Sequence, residues 1–131
     1  MQAFKIGAIS FAITSAAIAV CAPRAEAPAS PPAITPGVWQ LQQIDGPDRR
    51  QLCVANLGTL LKVSETGGHC SRAVMDSDGR TMTVHYACNG SGRGRNVLTV
   101  RSASSIRLET QGVAGGAPFA VDYDGRRVGS C

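Results

Sequence analysis

The chain is poor in the residues that usually announce chemistry. It has two histidines, His69 and His85, so a catalytic general base has only two places to stand. Aromatic residues make up 5% of the composition, too little for a base-stacking surface, and the arginines are scattered, so nucleic acid is not an expected partner. No apolar run reaches the about 20 strongly apolar residues that a membrane helix needs. The longest, Ile6 to Val20, is shorter than that and rich in alanine. Lysine is almost missing, with Lys5 and Lys62 alone against many arginines, and there is no internal repeat.

What is present begins with that apolar run. Lys5 precedes it, and Ala25-Glu26-Ala27 and Ala27-Pro28-Ala29 follow with the A-x-A spacing of a signal-peptidase site. Residues 1–27 therefore read as a signal peptide, cut near Ala27 to Ala29. A second route is lipidation at Cys21, because Ile18-Ala19-Val20-Cys21 loosely matches a lipobox, although Val20 stands where a small residue is usual. Either route points to an exported, periplasmic or secreted protein, soluble or lipid-anchored, that meets a membrane only through Cys21. Removing Lys5, Arg24 and Glu26 lowers the net charge of +4 by one, leaving a mildly basic domain.

Both routes also take Cys21 out of the pool of five cysteines. Cys53, Cys70, Cys88 and Cys131 remain, an even set suited to two disulfides in an oxidising compartment. A domain of roughly a hundred residues buries only about two-thirds of its unfolded surface, so such cross-links carry weight.

Residues 28–35 are Pro- and Ala-rich and read as a linker. From Pro36 the pattern is mostly period two. Val38 to Ile44 is a strand with Trp39 and Leu41 on one face, Asp45-Gly46-Pro47-Asp48 a turn, and Arg49 to Val54 a second strand. Asn56 is placed to cap a short helix carrying Leu57, Leu60 and Leu61. Cys70 to Met75 and Arg80 to Cys88 flank Asp76-Ser77-Asp78-Gly79, a hairpin in which a bulge or longer loop is needed to set the two cysteines opposite one another. Asn89 to Arg95 reads as a loop, Asn96 to Arg101 and Ser105 to Thr110 as another hairpin. A last strand carries Phe119, Val121 and Tyr123, and Asp124-Gly125 reads as a turn before the closing segment. About seven strands and one helix over residues 36–131 predict a mainly β domain, an antiparallel sandwich or small barrel.

Several clusters carry residue types suited to chemistry. His69-Cys70 and His85-x-x-Cys88 have plausible zinc ligands, but oxidised thiols remove them, so no metal site is expected. Serines are plentiful, yet neither histidine sits in a nucleophile motif, so no catalytic residue is assigned. Asp76-x-Asp78-Gly79 lacks the distal ligands of a calcium loop and suits a turn. The Gly90 to Arg95 stretch, with Arg93 and Arg95, has the makings of an anion nest. The simpler reading is a polar connector. No cofactor is implied.

Pro36-Gly37-Val38-Trp39 opening the domain, Gln51-Leu52-Cys53-Val54 before a short helix, Cys70 and Cys88 flanking a hairpin, and the closing Gly125-Arg126-Arg127-Val128-Gly129-Ser130-Cys131 together form a set of landmarks. In their order and spacing over residues 36–131, the chain resembles a family of secreted bacterial proteins catalogued as domain of unknown function 3617. It departs at Val54-Ala55, where members often carry Thr/Ser-Pro. The resemblance implies an exported β-rich domain with four paired cysteines and no known activity, substrate or cofactor. The pairing taken with it is Cys70–Cys88 and Cys53–Cys131, one of three possible connectivities.

The functional expectation is a non-enzymatic binding or structural protein of the envelope, with an unidentified envelope component as partner. One alternative is a secreted hydrolase inhibitor that inserts the 89–95 segment into a cleft. Another is a carrier of a small apolar ligand in a cavity lined by Trp39, Leu98, Ile106 or Phe119.

Overall fold

The computed structural model describes residues 21–23, 31–65, 69–90 and 92–131. The signal-peptide expectation and the cleavage sites near Ala27 to Ala29 lie outside the described residues, while Cys21 is an exposed free cysteine. Among the described residues no helix is long and apolar enough to cross a membrane.

Seven antiparallel strands make one sheet: β1 (Gly37–Gln43), β2 (Arg49–Val54), β3 (Cys70–Ser77), β4 (Thr81–Cys88), β5 (Gly92–Ser102), β6 (Ser105–Ala114) and β7 (Ala117–Gly129), in the order β2-β1-β7-β6-β5-β4-β3. Between β2 and β3 the chain forms helix α1 (Leu57–Leu61) and a 3-10 turn, Lys62–Ser64. The mainly β class with one short helix and two disulfides is the one the residue pattern predicts.

The sheet is strongly curled. Val63 O accepts a hydrogen bond from Arg50 on edge strand β2 at 3.3 Å, and Glu65, two residues on, is paired with Arg72 on the opposite edge strand β3. Five strands separate those edges. At about 4.8 Å per strand a flat sheet would hold them roughly 29 Å apart, beyond the reach of one turn of chain. The sheet therefore wraps around α1 and the 3-10 turn, an arrangement close to a small open barrel.

Alternation explains which side chains fill the inside. Trp39 and Leu41 of β1, Val84 of β4, Leu98 of β5, and Ile106 and Leu108 of β6 are fully or almost fully buried, and Leu60 and Leu61 of α1 close the core against them. Asn56 does stand at the N-cap, but its side chain makes no cap bond; its carbonyl accepts from Thr59 N at 3.1 Å instead. Side-chain hydrogen bonds tie down the far end of the helix. Asn96, buried among the core residues of β5, donates from Nδ2 to Leu61 O at 2.9 Å and accepts from Ser64 Oγ at 2.9 Å.

Two local expectations are corrected. Asp124-Gly125 is not a turn, because β7 runs unbroken through it. Gly125 is there because a Cβ at that point would lie 2.6 Å from Ile106 Cγ1 and 2.8 Å from Leu41 Cδ2, inside the packed core. The 89–95 segment is not a free loop either. From Gly92 onward it is β5, paired on one side with β4 and on the other with β6.

The β3–β4 hairpin contains the expected irregularity, between Val74 and Asp76, and it sets Cys70 directly opposite Cys88. Asp78 closes the hairpin by accepting from Thr81 N at 2.6 Å and Arg80 N at 2.9 Å, which holds its carboxyl below the usual range. Residues 31–35, expected as part of a linker, are docked on the domain. Pro32 is buried, Ile34 packs on the core, and Thr35 O accepts from the Trp39 indole at 3.0 Å.

Candidate functional site

Cys53 is bonded to Cys131 and Cys70 to Cys88. The first bridge joins edge strand β2 to the chain just past β7, and the second joins edge strand β3 to β4. Disulfides of this kind suit an oxidising, extracytoplasmic compartment.

The residues weighed for catalysis or metal binding do not converge. His69 is exposed just before β3, and its backbone carbonyl accepts from Asn89 N at 3.0 Å. His85 faces outward on β4. Among the described residues no group of three His, Cys, Asp or Glu is placed to hold a metal ion. Trp39, Leu98 and Ile106, three residues of the proposed carrier cavity, are fully buried in the core, so that part of the interior is filled by side chains. Phe119, the fourth, is half-buried at the edge of two surface depressions.

A groove does exist, on the outer face of the sheet. It encloses about 610 Å³ over the ends of β4 to β7 and is lined by the outward residues His85, Ala87, Arg93, Arg95, Gln111, Val113 and Ala120, with the row Tyr86, Gly94, Gly112 and Phe119 between them. Strand alternation produces this set. On β5, Asn96, Leu98 and Val100 point inward, so Arg93 and Arg95 point out. Pairing then sets His85 beside Arg95, Arg95 beside Gln111, and Gln111 beside Ala120 in one row across the sheet. Ala87, Arg93 and Val113 form the next row.

The inner side of the same place explains the glycines. Gly94 and Gly112 are a cross-strand pair. A Cβ on Gly94 would lie 2.5 Å from the Tyr86 hydroxyl, and one on Gly112 would collide with the Arg93 carbonyl. Only residues without a side chain let the Tyr86 hydroxyl and the two backbones come this close. Arg93 and Arg95, two residues apart on one strand, then stand about 7 Å apart along the chain, close enough for both guanidiniums to reach one anion.

Charge is distributed unevenly along this face. At one end the acids are matched: Arg107 bonds Asp122 at 3.0 Å and lies 3.9 Å from Glu109, and Arg101 is ion-paired with Asp124 at 3.0 Å. At the groove end the balance is lost. Among the described residues neither Arg93 nor Arg95 has an acidic partner, although Glu109 and Asp122 share a neighbouring depression with Arg95. The groove is therefore a cationic site with a mostly apolar floor. A second depression of about 430 Å³ continues from it past Ala87, Arg93 and Val113 toward Gly90 and the Gly115-Gly116 turn.

Sequence reasoning singled out Arg93 and Arg95 but set them in a loop, and it gave no role to Gln111, Val113 or Ala120. The usable signal was the alternation Arg93-Gly94-Arg95-Asn96, which is a strand pattern with both charges on one side.

No curated protein and no solved structure matches the chain. A family model does match, over residues 34–131, and its span covers the whole sheet, both disulfides and the groove. The chain thus belongs to the family described as protein of unknown function (DUF3617).

Proposed function

We propose that this chain is an exported, non-enzymatic binding domain of the bacterial envelope, and that it holds an anionic ligand in the outer groove of β4 to β7. The observation that carries this reading is the pair Arg93 and Arg95, directed into a groove whose lining holds no acid, neither of them ion-paired among the described residues. Two adjacent guanidiniums with no acidic partner among the described residues form a receptor for phosphate or carboxylate oxygens. Gln111 adds a neutral donor, and the sheet fixes all three without the cost of ordering a loop. Export is supported by the apolar N-terminal run with its A-x-A sites and by the two disulfides.

The test is a two-dimensional NMR titration of the oxidised domain with inorganic phosphate and with acetate. Saturable shifts are expected at the amides of residues 85–87, 93–95 and 111–113, and they should vanish in the double variant R93A/R95A. Shifts spread over the whole basic surface, or the same shifts in the double variant, refute the reading.

A further inference from the structure

The groove has a floor that a simple anion does not use. Across β6 and β7 from the two arginines lie Val113 and Ala120, small or apolar outward side chains, beside the bare backbone of Gly94 and Gly112, while Ala87 flanks Arg93 on the β4 side. The neighbouring depression extends the same surface past Ala87 and Val113 to the glycine turn at the end of β6. A charged head alone would leave this strip in contact with water. A free polyanion such as a sugar phosphate polymer would set polar groups against Val113 and Ala120, whose side chains offer them no hydrogen bond. The two volumes are in the range of sites that hold an extended organic molecule.

Resting on the anion-binding reading above, we infer that the ligand is an anionic amphiphile: a phosphate or carboxylate head gripped by Arg93 and Arg95 on β5, with its alkyl chain laid across Val113 and Ala120 on β6 and β7. Charge complementarity fixes the head, and the apolar strip fixes the direction of the chain. His85, at the side of Arg95, borders the head-group end of the groove. The filled core of Trp39, Leu98 and Ile106 keeps the chain on the outside of the sheet, so this is a surface cradle and not an internal carrier cavity.

Calorimetric titration of the oxidised domain with hexyl, octyl, decyl and dodecyl phosphate, all below their aggregation limits, tests this. Affinity should rise with chain length by up to about fourfold per methylene that reaches the strip. Dodecyl maltoside, with the same chain and no charge, should bind at least tenfold more weakly than dodecyl phosphate. R93A/R95A should remove the difference between those two ligands. Val113→Asn, an outward position that leaves the core untouched, should flatten the chain-length dependence. Affinity independent of chain length, with phosphate still bound at the groove, overturns the amphiphile and keeps the anion site. Equal affinity for dodecyl maltoside and dodecyl phosphate overturns the assigned head-group role. Absence of binding by every anion overturns both readings.

Discussion

Asn96 offers a quantitative check on how the helix is held inside the sheet. Its amide is buried and makes two bonds of 2.9 Å, one to the Leu61 carbonyl at the end of α1 and one from the Ser64 hydroxyl. Asn96→Ala removes both. Each bond contributes a net ~0.5–1.5 kcal/mol, and the Leu61 carbonyl, stranded away from water, costs a further ~1–3 kcal/mol. Ser64 is half-buried and can turn to another partner, so the expected loss is about 2–4 kcal/mol. Asn96→Asp separates hydrogen bonding from packing, because it keeps the shape and replaces the donor by an acceptor. Ionised, its carboxylate faces the Leu61 carbonyl with no proton to offer, so the folded state favours the protonated acid and raises its pKa above the unfolded value. A raised carboxyl pKa means that stability present at low pH is lost as pH climbs through the folded value. Urea unfolding followed by the fluorescence of Trp39, the single tryptophan, reads all of this. Asn96→Asp should resemble the wild type most closely near pH 4 and fall furthest behind it near neutrality. A loss under about 1 kcal/mol for Asn96→Ala, or a deficit for Asn96→Asp that does not change with pH, would show that the amide is not what anchors the helix.

Three further outcomes follow from other parts of the molecule. Gly125→Ala forces a methyl against Ile106 and Leu41 and should cost about 1–3 kcal/mol, read from the urea midpoint; an unchanged midpoint refutes the close-approach explanation. Removing the Cys53–Cys131 bridge as a double alanine variant should cost about 4.5 kcal/mol in the chain-entropy model, and removing Cys70–Cys88 about 3, so thermal melts should rank them in that order. Asp48 accepts from the Tyr123 hydroxyl at 2.8 Å and from Arg50 at 2.7 Å, and these hold its carboxyl below the ordinary value of 3.8. Its contribution is therefore present above that value and fades as pH falls through the lower folded one. Tyr123→Phe should reduce the loss of stability on acidification below pH 4, measured by melting temperature across pH 2 to 6.

Much of this fold was legible because one face of the sheet is wet and the other dry. Trp39 and Leu41 alternate with Val38, Gln40 and Gln42, and Met82, Val84 and Tyr86 with Thr83 and His85, so their strands announce themselves. The hairpin irregularity was legible for a different reason, since two bonded cysteines cannot be offset by one residue. Gly125 misled because Asp-Gly looks the same whether glycine is needed for a turn or for a missing side chain. Gly92 to Arg95 misled because its propensity is that of a loop, while hydrogen bonds from β4 and β6 on both sides override it. The groove was hidden because it is a product of register. His85, Arg95 and Gln111 are brought together only by pairing across three strands.

The position of the two sulfur bridges bears on how the molecule behaves when stressed. Strands at the margins of a sheet usually peel away first and offer their unpaired amides to other chains. Here each marginal strand is riveted, β2 through Cys53 and β3 through Cys70. Fraying of the hems is thereby suppressed while the thiols stay oxidised, and a shift to reducing surroundings would turn both selvedges into templates for self-assembly.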